Sequence, residues 1–219
     1  MIRSNRNALV GTVGLVLLMA LGGLGYRFYQ FVGLGDERVR LAEAMGVHEG
    51  EVLADVGAGD GSWSLFLASQ VGRDGKIYAT EVDDAKYRQL QERSRQAPYG
   101  NVEAVLGTQE GTGLPAACCE GILLRRVYHH FEDPPAMLAD IRRALKPDGV
   151  LAVIDFNPTG RYPLSNVPVF RHGHGVPMET TEEEIRSAGF VEVRRIAPWA
   201  GWDATYFLLF RKAPEDSGH

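Results

Sequence analysis

The amino-acid sequence predicts an α/β protein with a Rossmann-like, seven-stranded, mostly parallel sheet and a C-terminal antiparallel hairpin, preceded by an N-terminal hydrophobic helix. Three observations predict this fold. Short apolar runs alternate with amphipathic helical patterns over most of the 219 residues. A glycine-rich turn joins the first apolar run to the helix that follows it. The last two runs have no helical pattern between them, which is typical of a hairpin.

The first 34 residues form a segment of their own in this prediction, and residues 35–219 form the folded domain. Residues 8–25 are apolar and uncharged. A helix of that length spans about 27 Å, at about 1.5 Å per residue, which is close to the thickness of the hydrocarbon core of a bilayer. Two interpretations stay open: a single membrane anchor with the domain in the cytoplasm, or a signal peptide that is cleaved on export.

The remaining elements follow from hydrophobic periodicity and from turn and cap residues. Ser62 is expected to cap the helix after the glycine turn, and Thr181 with Glu184 has the pattern of a capping box. The adjacent residues Cys118 and Cys119 are interpreted as small apolar side chains at a strand edge, not as a disulfide bridge. The predicted strands are 51–57, 76–82, 101–107, 121–125, 150–156, 191–196 and 205–211, and the predicted helices are 36–46, 62–71, 84–96, 134–146 and 181–189.

The strongest functional signal is the glycine-rich turn after the first strand. Gly57, Gly59 and Gly61 would let the backbone turn sharply and approach a ligand closely. Glu81 follows at the end of the second strand, where a carboxylate can accept hydrogen bonds from both hydroxyls of a ribose. The dinucleotide fingerprint has the spacing G-x-G-x-x-G, whereas the spacing here is G-x-G-x-G. Asp55 stands just before the turn, where it would repel a pyrophosphate and suits a ligand with a cationic end.

These motifs resemble those of a known family. The segments LADVGAGDGSWS, ATEVD and YHHFEDPPAMLADIRRALKPDGVLAVIDF are similar to class I S-adenosylmethionine (SAM)-dependent methyltransferases, in the small-molecule branch that includes ubiquinone and menaquinone methylases. The resemblance implies SAM as the cofactor, with Asp55 near its methionine amino group and Glu81 on its ribose. The residues expected to bind the cofactor are Asp55, Gly57, Ala58, Gly59, Gly61, Glu81, Thr108, Gln109 and Arg125, of which Thr108 and Gln109 stand where the family often has Asp-Ala near the adenine.

Histidines provide the candidates for catalysis. His129 follows the fourth strand and His174 follows the fifth, so both are expected beside the same crevice at the carboxyl ends of the strands. Histidine is the natural base near neutral pH for an acceptor that must lose a proton. We therefore expect His129 to act as the base, His174 to be the second candidate, and Tyr128 to orient the acceptor. The alternative for Tyr128 and His129 is that they only line the cofactor pocket. No metal site is predicted.

The function expected from these observations is SAM-dependent methyl transfer to a small, apolar or lipid-like acceptor such as a quinone precursor. Residues 8–25 would provide contact with a membrane. Nucleic acid is not an expected partner, because the formal net charge is −5 and no basic block stands out. Two alternatives are an NAD(P)-dependent oxidoreductase and an exported ligand-binding protein without catalytic activity on the same fold.

Overall fold

The computed structural model of the protein describes residues 37–158, 175–201 and 204–214. The hydrophobic segment 8–25 and the boundary predicted at residue 35 lie outside these ranges. In the part of the chain that the structure describes, no helix is long and apolar enough to cross a membrane. The described helices therefore give no support to the predicted membrane contact.

A seven-stranded sheet forms the centre of the unit Ala42–His219. The strands lie in the order β3-β2-β1-β4-β5-β7-β6, and every neighbouring pair is parallel except β5–β7 and β6–β7. The predicted mostly parallel sheet and its C-terminal hairpin are thereby confirmed. The strands are β1 (Val52–Val56), β2 (Lys76–Glu81), β3 (Val102–Leu106), β4 (Cys119–Arg125), β5 (Leu145–Phe156), β6 (Phe190–Ile196) and β7 (Thr205–Lys212).

Within the described residues, five α-helices accompany the strands. The described part of the first, α1, covers residues 37–45. The others are α2 (Ser62–Val71), α3 (Asp84–Ser94), α4 (Pro134–Ala144) and α5 (Met178–Ser187). The alternation of strand and helix up to β5 places the carboxyl ends of the parallel strands at one edge of the sheet, which is where ligands bind in open α/β sheets.

The core lies on both faces of the central strands. In β4, three consecutive residues, Ile122, Leu123 and Leu124, are all fully buried although their side chains alternate between the faces. Ile122 and Leu124 join the apolar cluster that includes residues of α4 and α5, whereas Leu123 points to the opposite face. Burial on both faces explains why the strands are continuous apolar runs in the sequence.

The structure corrects two predicted helix caps. The N-cap of α2 is Gly61, not Ser62, and it makes no side-chain capping bond. Helix α5 begins at Met178 with Pro177 as its N-cap, so Thr181 and Glu184 do not form a capping box. Their side chains have distant partners instead: Thr181 Oγ1 lies 2.8 Å from the hydroxyl of Tyr206, and Glu184 accepts a hydrogen bond from Tyr128.

The two cysteines are also bonded differently from the prediction. Cys118 and Cys119 are joined by a disulfide between neighbouring residues. The expectation that these two cysteines would not form a disulfide is therefore wrong. Cys119 is fully buried and belongs to the apolar cluster, as expected for a small apolar residue at the start of β4.

Candidate active site

The glycine-rich turn between β1 and α2 has the geometry that its glycines suggest. Gly57 has φ 72°, and a Cβ added to it would lie 2.4 Å from a methyl carbon of Val127, so only glycine fits there. The N–H groups of Gly57 and Ala58 donate to the carbonyl of Thr80 at 3.1 and 2.9 Å, which ties the turn to the end of β2. Among the described residues, no atom lies within 4 Å of a Cβ built on Gly59, so the space beside this glycine is open.

Asp55 lies in β1, two residues before this turn, and it is almost completely buried. Its carboxylate accepts a hydrogen bond of 2.6 Å from the hydroxyl of Ser64, which lies in the first turn of α2. Burial raises the pKa of Asp55 to about 6, although the Ser64 hydroxyl and the charge of Arg125 act in the opposite direction. Burial makes the charged form of this carboxyl unfavourable. A cationic ligand would stabilise that form, so Asp55 is suited to binding one.

Glu81, at the end of β2, is the second buried acid of the site. Its side chain is 7% exposed, and its Oε2 atom is buried without a hydrogen-bond partner. Burial raises the pKa of this carboxyl group. Since buried polar atoms in proteins are nearly always hydrogen-bonded, an orphaned carboxylate oxygen indicates a place where a ligand donates. The hydroxyl groups of a ribose are donors of the required kind.

The predicted adenine neighbours, Thr108 and Gln109, are exposed in the turn after β3. Thr108 organises this turn: its N–H donates to the carbonyl of Gly111 at 2.7 Å, and its hydroxyl accepts from the N–H of Glu110 at 3.3 Å. The turn begins beside Glu81, whose carbonyl accepts from Gly107 at 2.9 Å. Contact of Thr108 and Gln109 with an adenine stays a prediction.

Arg125 ends β4, the strand next to β1. Its guanidinium carbon lies 4.3 Å from the centre of the Trp63 ring, which is buried in the first turn of α2. Stacking on an indole ring holds the guanidinium group in a defined plane. The structure thus places Arg125 near Asp55, at the carboxyl ends of the two central strands.

His129 is paired with an acid that the sequence analysis did not single out. Its Nδ1 atom lies 2.8 Å from Oδ1 and 3.0 Å from Oδ2 of Asp155, the penultimate residue of β5. The backbone N–H groups of His129 and Phe156 also donate to this carboxylate, at 3.2 and 2.9 Å. Both side chains are buried. A carboxylate bonded to one ring nitrogen of a histidine fixes the orientation of the imidazole ring.

The other two catalytic candidates have different positions. Tyr128 is fully buried, packs against Phe131 with ring centres 5.1 Å apart, and donates to Glu184 of α5 at 2.6 Å. The hydroxyl of Tyr128 therefore bonds to a helix that flanks the sheet, and an acceptor-orienting role for it stays a prediction. His174 lies outside the described residues.

Sequence reasoning missed three residues that shape this site: Ser64, Trp63 and Asp155. The signal for Asp155 was present, because it is the only charged residue in the apolar run of β5 from Val150 to Phe156. A lone carboxylate at the carboxyl end of a buried strand is costly unless it has a partner. Ser64 and Trp63 carry no such signal, since both types are common in the first turn of a helix.

The residues of this site fit SAM. Asp55 is suited to the ammonium group of its methionine end, the orphaned oxygen of Glu81 to its ribose, and the open space above Gly59 to close contact with the backbone. Three features of the structure carry this fit: a buried acid with a raised pKa, a carboxylate oxygen without a hydrogen-bond partner and a turn that only glycine can adopt.

Replacement of Glu81 by glutamine is expected to weaken SAM binding by about 10- to 100-fold, because hydrogen bonds to a charged group contribute roughly 1.5–3 kcal/mol. Calorimetric titration of SAM into the parent and the variant measures this loss. Glu103→Gln, which changes an exposed glutamate on the neighbouring strand β3, is the matched control and should bind as the parent does. Equal affinity of the Glu81→Gln variant and the parent for SAM would show that the charge of Glu81 is not needed for binding.

Comparison with known proteins identifies the proteins to which this chain is similar. The model of a methyltransferase domain family matches residues 54–153, which include the glycine turn, Glu81 and His129. A demethylmenaquinone methyltransferase of Listeria welshimeri is 26% identical over 80% of this chain and 85% of its own length. An erythromycin 3''-O-methyltransferase of Saccharopolyspora erythraea is 31% identical over 70% of this chain and 55% of its own.

The fold is also similar to that of a protein of known structure. The crystal structure of a SAM-dependent methyltransferase from Aquifex aeolicus superposes with a TM-score of 0.68 at 22% identity, covering 80% of this chain and 89% of that one. Neither the oxidoreductase nor the non-catalytic binding protein considered above is favoured by these relatives. The matched domain, the similar sequences and the geometry of the glycine turn support one conclusion: residues 54–153 belong to a SAM-dependent methyltransferase domain.

Proposed function

We propose that the enzyme methylates a small acceptor whose nucleophile must first lose a proton, and that a reduced, quinone-like ring is the acceptor class. The observation that carries this proposal is the buried His129–Asp155 pair at the carboxyl ends of β4 and β5. Methyl transfer needs little from the protein beyond alignment and exclusion of water when the nucleophile is already an anion. A fixed base is useful when the acceptor is a hydroxyl or an acidic carbon.

The proposed proton route begins at the histidine. Nδ1 of His129 donates to the carboxylate of Asp155, which leaves Nε2 with its lone pair. Nε2 accepts the acceptor's proton, and Asp155 stabilises the imidazolium that forms. The bound cofactor supplies an electrophilic methyl group on a sulfonium, and its positive charge favours approach of the deprotonated acceptor. Because the pair is buried, competing water has little access to the base.

The choice of a quinone-like ring rests on the relatives. The Listeria welshimeri protein is named for demethylmenaquinone, and it aligns with most of this chain. The erythromycin 3''-O-methyltransferase is named for methylation at an oxygen. A reduced quinone offers both kinds of nucleophile, since loss of its hydroxyl proton places negative charge on oxygen and on the neighbouring ring carbons. An apolar or lipid-like side chain on that ring is part of the proposal.

Transfer of a labelled methyl group from SAM to a small panel of acceptors tests the proposal. The panel contains a demethylated naphthohydroquinone kept reduced under anaerobic conditions, the same ring in its oxidised form, and a hydroxylated glycoside. We expect transfer to the reduced ring and none to the oxidised ring, which lacks the proton that the base removes. Equal transfer to both rings, or transfer to the glycoside alone, would contradict the quinone-like acceptor.

We also propose that the catalytic domain works in the cytoplasm, because SAM is made there. Determination of the mature N-terminus, with fractionation of cells into soluble, membrane and exported fractions, tests this location. Export of a shortened chain would contradict it.

A further inference from the structure

The histidine turn, residues Tyr128–His130, is a single turn of 3₁₀ helix that carries the proposed base. A turn this short forms few hydrogen bonds of its own, so its position depends on the groups that hold it from outside. One of these is Asp155 of β5, which accepts from the backbone N–H of His129 at 3.2 Å and lies 2.8 Å from its Nδ1. The histidine turn is thereby attached to the end of the sheet.

A second attachment runs from Tyr128 to α5. The Tyr128 side chain is fully buried in the apolar cluster, and its hydroxyl donates to Oε2 of Glu184 at 2.6 Å. Hydrogen bonds from a hydroxyl to a carboxylate are short and roughly twice as strong as those between neutral groups. This bond joins residues that are 56 positions apart, so it fixes the histidine turn to the helix that follows β5.

Helix α5 is itself attached to the end of β5. Asn157, directly after that strand, accepts at its Oδ1 from the N–H of Met178, the first residue of α5, at 2.9 Å. The connections therefore form a closed ring: the histidine turn is bonded to β5, β5 to α5, and α5 back to the turn through Glu184. Loss of the Glu184 link would open this ring and let the turn move relative to α5.

We propose that Glu184 is a positioning residue: acting through the hydroxyl of Tyr128, its carboxylate holds His129 in place for proton transfer. The proposal rests on the role proposed above for His129 as the base. It assigns the Tyr128 hydroxyl to the protein, whereas the sequence predicts that Tyr128 orients the acceptor. A displacement of about 1 Å in a reacting group can lower a rate by about 100-fold, so a bond remote from the reacting atoms can affect kcat.

Four variants of the full-length chain test the link: Tyr128→Phe, Glu184→Leu, their combination, and Glu184→Gln. The two single changes to Phe and Leu should each lower kcat for the accepted ring by about 10- to 100-fold and leave the affinity for SAM within about threefold of the parent. The combination should lower kcat no further, because both changes remove the same bond. Glu184→Gln should restore most of the rate, since its amide oxygen can accept the same hydrogen bond.

Hydrogen exchange of backbone amides follows the histidine turn without an acceptor. The N–H of His129 donates to Asp155, and the N–H of Phe131 donates to the carbonyl of Tyr128 at 3.1 Å. Both should exchange about 10- to 100-fold faster in Tyr128→Phe and in Glu184→Leu than in the parent, because loss of a bond to a carboxylate lowers the free energy of opening the turn. In Glu184→Gln they should exchange nearly as slowly as in the parent.

Thr181→Val is the matched control. Thr181 lies about one turn before Glu184 in α5, is fully buried, and has its hydroxyl 2.8 Å from that of Tyr206. Its replacement also removes a buried side-chain bond of α5, while Tyr206 can still donate to the carbonyl of Val176 at 3.1 Å. We expect kcat and the exchange of the histidine turn to stay within about threefold of the parent. Cooperative thermal unfolding of each variant shows that it is folded.

Three results would overturn the proposal. Unchanged exchange of the histidine turn in Glu184→Leu would mean that the carboxylate does not hold it. A loss of rate in Tyr128→Phe that is absent from Glu184→Leu would assign the Tyr128 hydroxyl to the acceptor. Equal effects of Thr181→Val would assign the losses to a general loosening of α5.

The two measurements also separate this proposal from the proposed function. Faster exchange in both Tyr128→Phe and Glu184→Leu, with kcat unchanged, would show that Glu184 holds the turn and would contradict the role of His129 as the base. The exchange measurement needs no acceptor, so it gives the same answer if the enzyme transfers no methyl group to a quinone-like ring.

Discussion

Replacement of Asp55 by asparagine is expected to make the ligand-free enzyme more stable at pH 8 and to weaken its binding of SAM by at least tenfold. Burial raises the pKa of this carboxyl from 3.8 to about 6. A carboxyl whose pKa is raised by folding contributes stability below its unfolded pKa, and that contribution disappears as the pH rises through the folded pKa. The shift corresponds to about 3 kcal/mol at most.

The difference in stability between the parent and the Asp55→Asn variant is expected to depend on pH. At pH 4 most folded molecules carry a protonated Asp55, which the asparagine mimics, so parent and variant should unfold at nearly the same temperature. At pH 8 the parent must bury the charged form, and the variant should be more stable by about 1–3 kcal/mol, or roughly 2–10 °C in Tm for a chain of this size. Thermal unfolding at the two pH values measures the difference.

Ligand binding should reverse the ranking. The ammonium group of SAM stabilises charged Asp55, so SAM should raise the Tm of the parent at pH 8 and have little effect on the variant. Below pH 6 the affinity of the parent for SAM is expected to fall about tenfold per pH unit, because binding then requires removal of a proton. Asp148→Asn, which changes an exposed aspartate near the start of β5, serves as the control. A variant that binds SAM as tightly as the parent would contradict the role of Asp55.

Replacement of His129 by glutamine is expected to lower kcat by about 100- to 10,000-fold, the usual contribution of a positioned general base. Asp155→Asn should lower kcat to a similar degree, because an amide can donate to Nδ1 and so favour a proton on Nε2, the atom that must accept one. Both variants should bind SAM within threefold of the parent, since the amino group and the ribose of the cofactor are assigned to other residues, Asp55 and Glu81. Single-turnover methyl transfer to the accepted ring, with a separate titration of SAM, measures the two quantities.

One further measurement separates chemistry from structure. Nitrogen NMR of labelled histidine should find the proton of neutral His129 on Nδ1 in the parent and not in Asp155→Asn. His130→Gln is the matched control, because His130 is the neighbouring histidine and is exposed, and its ring centre lies 4.1 Å from that of His129. Full activity in Asp155→Asn would mean that the pair is structural.

Much of the fold could be predicted from local pattern. The central strands are apolar runs because both faces of the sheet are covered, and glycine ends several of them. The seven strands could therefore be predicted without knowing which strands pair with each other. Asp55, the glycine turn and Glu81 could be predicted for a similar reason, since their spacing along the chain sets their positions at the ends of neighbouring strands.

The features that local pattern missed depend on distant partners. Thr181 and Glu184 have the spacing of a capping box, but Tyr206 and Tyr128, at separations of 25 and 56 residues, compete for their side chains. Tertiary hydrogen bonds of this kind outweigh a cap contribution of about 1 kcal/mol. Asp155 was missed for the same reason, because its role depends on its bond to His129, which follows a different strand.

The missing side chain at Gly57 also bears on how this enzyme could change its acceptor during evolution. Val127 occupies the place that a Cβ would need, and His129 follows only two residues later. The distance between the glycine turn and His129, the proposed base, is thus set by the backbone. New acceptors must be accommodated by substitutions that reshape the opposite wall, and substitutions at Gly57 or Val127 should be rare among descendants that keep the reaction.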